Sequence, residues 1–230
     1  MTRRQRPKNA GVLTAAAGAM VTEGILFHLG RTYGSTAAER EARLAGDELV
    51  SHPSVVTNHA TTINAQPEHV WPWLVQMGWG RAGWYTARWV DRLLFPANGP
   101  SATTILPELQ DLNNGDFVPD GPPETNCGFT VEELIPYRAL VLRSTSHLPA
   151  SWRDKAVLNW SWAFTLTPLE GGDRTRYLFR SRWAASPWWL TAGGWLGIVP
   201  ADYVMSRDHL RGVKRRAEAV ERSANRDIAA

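Results

Sequence analysis

Most residues suited to chemistry lie between Gln76 and Glu108. Gly78-Trp79-Gly80-Arg81-Ala82-Gly83 has the G-x-G-x-x-G spacing that brings backbone close to a pyrophosphate. That chemistry needs a strand before the glycines and a helix after them. Here Pro67-Glu68 opens a helix, with proline at a first helical position and an acid at the positive end of the dipole. Val70, Leu74 and Met77 then recur at helical spacing. The glycines follow a helix, so the pattern reads as a turn and not as a nucleotide site. General acid–base catalysis has four candidates, Tyr85, Asp91, Glu108 and His147, with Arg81 as an electrostatic partner. Each has a plainer role open to it: Tyr85 in packing, Asp91 paired with Arg88, Glu108 capping a helix and His147 in a polar loop. The six histidines show no His-x-x-x-His spacing and no Cys-x-x-Cys is present, so neither a metal nor a cofactor is expected. Cys127, the one cysteine, has no disulfide partner and no neighbouring base, and reads as a small buried hydrophobe.

Five of the twelve tryptophans fall within Val70–Trp89. Indoles are large and their N–H needs a partner when buried, so tryptophans massed at a turn suit the wall of an apolar cavity. The expected lining is Trp84, Trp89, Trp162, Phe164, Tyr177 and Phe179, with Gln76, Arg81 and Tyr85 orienting a polar end of the ligand. The forked donors of Arg81 would suit a carboxylate or phosphate there.

Alternation from Val55 ends at Pro67 and gives a first strand. Pro72 should kink the helix that follows, and a second small helix is expected over Tyr85–Leu94. From Asp116 to Trp183 the chain runs in period-two segments separated by turns, as an antiparallel sheet requires. Trp160, Trp162, Phe164 and Leu166 share one face; Gly171-Gly172-Asp173 turns the chain; Tyr177, Phe179 and Trp183 share a face opposite Arg176, Arg180 and Arg182. Residues 187–201 carry no charge and hold Trp188, Trp189 and Trp195, but their glycines and prolines argue against a regular spanning helix. From Asp202 onward Tyr203, Leu210, Val213, Ala217 and Val220 fall at helical spacing, giving a closing amphipathic helix.

The chain divides into a basic and apolar segment (1–31), a polar connector (32–54), one domain (55–222) and a tail (223–230). Its net charge is +3, with cations gathered at Arg3, Arg4, Arg6 and Lys8 and again at Arg207, Arg211, Lys214, Arg215 and Arg216. The aromatic-rich middle carries mixed charge, so no nucleic-acid partner is expected; the second cluster reads as the solvated face of the last helix. Ala10 to Gly30 is apolar and about long enough to span a bilayer, although Glu23 and His28 oppose insertion. Two readings stand for residues 1–30: a membrane contact, or a helix lying on the domain. The location is accordingly membrane-associated or cytoplasmic.

One resemblance joins these elements. Leu44-Ala45-Gly46-Asp47-Glu48-Leu49-Val50, the strand Thr57–Asn64, Ala65-Gln66-Pro67-Glu68-His69-Val70-Trp71 and Gln76-Met77-Gly78 through Gly83-Trp84-Tyr85 occur in that order. Ile105-Leu106-Pro107-Glu108 with Gln110, Gly115-Asp116, Pro136 to Leu142, Ser161 to Phe164 and Arg174-Thr175-Arg176 follow. This succession, from residue 44 to about 220, resembles the START-like or SRPBCC superfamily, in its bacterial polyketide cyclase/dehydrase-like branch. The resemblance implies an α+β helix-grip fold, a curved antiparallel sheet wrapped around a long C-terminal helix, with two small helices after the first strand. It also implies a hydrophobic or amphipathic small molecule, lipid or polyketide-like, held between sheet and helix. The alternative is a cyclase or dehydratase acting on a polyketide-like substrate in the same cavity. Fold alone does not choose between them.

Overall fold

The computed structural model of the chain describes residues 10–94, 96–152 and 154–229; Arg3, Arg4, Arg6 and Lys8 lie outside the described residues. Helix α1 (Ala10–Thr32) is followed by a short α2 (Ala37–Glu41), which starts at a capping box in which Thr36 and Glu39 satisfy each other's backbone N–H. Strand β1 (Val55–Ile63) leads into α3 (Pro67–Val75) and α4 (Arg88–Leu94). Five more strands follow, β2 (Phe117–Pro119), β3 (Gly128–Ile135), β4 (Ala139–Ser144), β5 (Val157–Pro168) and β6 (Thr175–Ser186). A short α5 (Trp188–Gly193) and a π-helical turn (Gly194–Ile198) run into α6 (Val199–Ala229).

The strands form one antiparallel sheet in the order β1-β6-β5-β4-β3-β2. With α6 laid across it, this is the α+β helix-grip architecture, with α3 and α4 as the two small helices after the first strand. The register puts Phe164 opposite Phe179 and Trp162 opposite Ser181, so the aromatic positions of β5 and β6 meet on the face toward α6. On that face Leu210, Val213 and Ala217 of α6 are buried against the same cluster as Phe129, Leu140, Leu142 and Leu74.

Two close approaches set the depth of this helical run. A Cβ at Gly212 would lie 2.0 Å from the Tyr85 carbonyl oxygen, and one at Gly194 would lie 2.0 Å from the Trp183 ring. Only glycine permits backbone that near.

Several expectations are corrected. The second small helix begins at Arg88, because Tyr85 sits at φ 59°, in the left-handed region that no helix residue occupies. Pro72 lies inside α3, and the carboxamide of Gln110 donates to its carbonyl oxygen at 3.3 Å. Among the described residues no helix is long and apolar enough to cross a membrane. The later part of α1 instead packs on the body: Phe27 stacks on Trp195 with ring centroids 4.9 Å apart, and Gly30 abuts Val199. Nor is the C-terminal basic cluster wholly solvated. Arg216 donates to the Ala102 carbonyl and lies 4.7 Å over the Tyr85 ring, and Lys214 reaches Glu218 and the Thr62 carbonyl.

Candidate functional site

The face between sheet and α6 is walled by rings. Trp162 lies at its centre, stacked on Phe129 at 4.1 Å and edge-on to Trp84, Trp160 and Phe179 at 5.4, 5.2 and 5.6 Å. Phe164 stacks on Phe179 at 4.7 Å. These rings leave a partly open chamber of about 90 Å³, bordered by Met205, Ser206 and His209 of α6. Of the residues named for a ligand cavity, Trp84, Trp162, Phe164 and Phe179 line this chamber, joined by Trp160.

The other expected lining residues lie elsewhere. Tyr177 is wholly buried, and its hydroxyl is bonded to His209 Nε2 at 2.7 Å. Trp89 is 57% exposed on α4. Gln76 is buried and holds the Leu106 N–H and the Thr104 carbonyl, while also donating to the Tyr85 hydroxyl. Tyr85 in turn donates to the Trp73 carbonyl, and burial pushes its phenol well above the usual range. Arg81 donates to the Val75 and Met77 carbonyls at 2.9 and 2.8 Å, closing the C-terminus of α3. Gln76, Arg81 and Tyr85 are therefore committed to tying α3, its turn and the 104–106 segment together, and none of them lines the chamber.

The acid–base candidates divide similarly. Glu108 is exposed in a 3₁₀ turn, and Asp91 accepts from Thr86, its carboxyl pushed up by burial. His147 borders a second cavity, bonded through Nε2 to Asp120 at 3.0 Å and through Nδ1 to the Ser144 hydroxyl at 2.7 Å.

The polar groups at the chamber come from positions the sequence reading passed over. Asp202, in the first turn of α6, lines it. Its carboxylate is held by the Thr57 hydroxyl at 3.1 Å, the Ser206 hydroxyl at 2.8 Å and His59 Nε2 at 3.1 Å. Asp120 and Thr86 complete the polar lining. His209 faces the chamber with Nδ1 donating to the Trp84 carbonyl at 2.8 Å, which leaves Nε2 to accept from Tyr177. Burial drives its pKa down to about 4, so it is neutral at pH 7. Two buried atoms here have no hydrogen-bond partner among the described residues, the Trp84 indole N–H and His59 Nδ1. A signal for this set exists in the sequence. Asp202, Ser206 and His209 follow i, i+4, i+7 spacing that continues into the buried stripe Leu210, Val213 and Ala217. Among the described residues no three His, Cys, Asp or Glu side chains converge as metal ligands would.

No family model matches the chain, and no curated protein matches its sequence. Solved structures similar to it are distant. Hypothetical protein jhp0584 from Helicobacter pylori aligns at a TM-score of 0.49 and 12% identity, over 76% of this chain and 95% of that one. The Zhui aromatase/cyclase from Streptomyces sp. R1128 aligns at 0.30 and 12% identity, over 71% and 93%. The di-domain aromatase/cyclase BexL of the BE-7585A biosynthetic pathway aligns at 0.34 and 19%, over 74% of this chain and 53% of that one. The helix-grip architecture therefore rests on the chain's own strand order and last helix.

Proposed function

We propose that the chamber binds a small, flat, largely apolar molecule bearing a hydroxyl group. The carrying observation is the composition of its wall: among the described residues it has five aromatic rings, two carboxylates (Asp120 and Asp202), and no lysine or arginine. A hydroxyl can donate to a carboxylate of that wall, which an apolar ligand leaves without a partner. An anionic head group would instead face like charge where water screens little. This reverses the expectation that Arg81 anchors an anionic end. Size narrows the ligand further. The chamber, about 90 Å³, is smaller than the ~150 Å³ cavity that admits benzene. A single ring therefore enters only where the wall gives way, at the flexible Met205, and the second ring of a fused pair stays in the open mouth of the chamber.

The test uses phenol, 2-naphthol, naphthalene and 2-naphthoate, read by quenching of tryptophan fluorescence and by the shift in melting temperature. The hydroxylated rings should bind best and the carboxylate worst, and Asp202→Asn should narrow that gap. Equal binding of 2-naphthoate, or no binding of any probe, would sink the reading.

A second reading, general acid–base catalysis on a polyketide-like substrate, draws on one observation. Two carboxylate–histidine pairs, Asp202–His59 and Asp120–His147, each contribute their carboxylate to the same apolar chamber. It requires that a β-hydroxyketone probe lose water on incubation with the protein, seen by mass spectrometry and abolished by Asp202→Asn. Binding of that probe without turnover would leave only the first reading.

A further inference from the structure

A second apolar feature lies where β5 begins and β6 ends, at the pairing of Val157 with Ser186. Trp188 is 79% exposed, Leu196 74% and Ile198 55%, with Trp152, Trp189 and Val157 also exposed. Trp152 meets Trp189 edge-on at 5.3 Å, joining the turn before β5 to α5. Residues 184–201 contain no charged side chain. Soluble surfaces rarely leave this much contiguous apolar area without a use.

The platform is firmly seated. Gly194 lets the π-helical turn lie directly on the Trp183 ring, and Phe27 of α1 stacks on Trp195 from the other side. A π-turn inserts one extra residue into a helix and is frequent at functional positions. Beneath the platform is a vestibule of about 300 Å³, walled by Leu148, Trp152, Leu158, Trp183, Leu190 and Ile198. Cations stand at the rim: exposed Arg31 lies 5.2 Å over the Trp195 ring, and exposed Lys155 follows Trp152 in its turn, beside Asp154.

We infer that this end of the molecule docks on an anionic lipid surface, with Trp188 at the level of the head groups, Leu196 among the acyl chains and one chain drawn into the vestibule. Indoles favour the level of the head groups, where one edge is apolar and the other wet. Charge-free apolar side chains with cations at the margin are the arrangement that an anionic bilayer surface rewards. The vestibule has a lining suited to a hydrocarbon chain and, among the described residues, presents one polar side chain, His147. Docking here needs no spanning helix, and it does not depend on what the chamber binds.

The experiment is co-sedimentation of the full chain with phosphatidylcholine vesicles, with and without phosphatidylglycerol. The wild type should partition onto both and more strongly onto the anionic ones. The double variant Trp188→Ser/Leu196→Ser, whose exposed positions leave the fold intact by melting temperature, should lose partitioning by about tenfold or more. Arg31→Gln should remove only the extra binding to anionic vesicles. Three results would each overturn the inference: no sedimentation of the wild type, unchanged sedimentation of the double variant, or a concentration-dependent dimer in analytical ultracentrifugation that the double variant abolishes. The last would assign the platform to a second copy of the chain.

Discussion

Strand β6 shows two faces of one alternation. Tyr177, Phe179 and Trp183 look toward the helices and the chamber; Arg176, Arg180 and Arg182 look the other way, beneath the segment from Gly34 to Val50. Both faces are buried, by different physics. On the outer face every N–H of Arg180 has an acceptor: Asn58, Asp47 and the carbonyls of Ala42, Glu39 and Arg40. Arg176 grips Glu39 at 2.6 Å, and Arg182 holds the Val50 carbonyl. On the inner face apolar area dominates, the chamber remains, and Trp84 and His59 each keep an unpartnered polar atom. The outer face is tied down almost throughout, and even Asp47 Oδ1, which has no hydrogen-bond partner among the described residues, lies 3.4 Å from the Arg182 guanidinium; that marks it as structural, whereas the open chamber marks the inner face as the one where a ligand has something to gain.

The comparison breaks most sharply at Arg180, which is 2% exposed. Arg180→Met should cost about 3–5 kcal/mol in urea unfolding, because it strands Asp47 and three carbonyls beneath the connector. A loss under about 1 kcal/mol would make the outer network no better than surface ion pairs.

Acid should sharpen the contrast by loosening the two faces in different pH windows. His209 has its pKa lowered from 6.5 to about 4, so between these values the unfolded chain binds the proton more readily. Stability from this group is complete above 6.5 and falls as the pH drops toward 4, by on the order of 3 kcal/mol. Glu39 is held at about 2 chiefly by the hydrogen bond from Arg176, so its share is present above 4.5 and is lost only as the pH falls toward 2. The inner face should weaken first. Denaturation curves across pH, with the His209 ring followed by NMR, would check this, and a ring titrating near 6.5 would refute it.

The smallest effect is expected at Trp162. A fully packed indole replaced by alanine costs about 3–5 kcal/mol, and one already facing a chamber should cost on the order of 2. Trp162→Ala should also enlarge the chamber enough for 2-naphthol to bind more tightly. A full core penalty with no gain in binding would make this face solid packing.

Much of the inner face was legible in the sequence. Alternation at Trp160, Trp162 and Phe164 and again at Tyr177 and Phe179 gave the sheet, its inward face and four of the chamber's aromatic walls. Trp89 misled, because a tryptophan near a glycine turn carries no sign of which side of a short helix it occupies. Arg81, Gln76 and Tyr85 misled for another reason: backbone groups claim them, those of α3 and its turn for Arg81 and Tyr85 and those of Thr104 and Leu106 for Gln76, and such partners leave no mark in side-chain chemistry. The outer cover was illegible too. Glu39 and Asp47 look like ordinary solvated acids until Arg176 and Arg180 are placed opposite them, more than 130 residues away in the chain.

Gly212 carries one consequence beyond packing. It lets α6 rest against the Tyr85 carbonyl, at a residue whose own backbone is held in the left-handed region. The separation of helix and sheet is therefore set at a hard stop, like a spacer in a clamp, and Met205, Ser206 and His209 ride on the jaw that it positions. One methyl group at 212 would act as a shim, lifting the helix and resizing the chamber without altering any residue that lines it. Ligand size in this architecture is thus a property of a residue that touches no ligand.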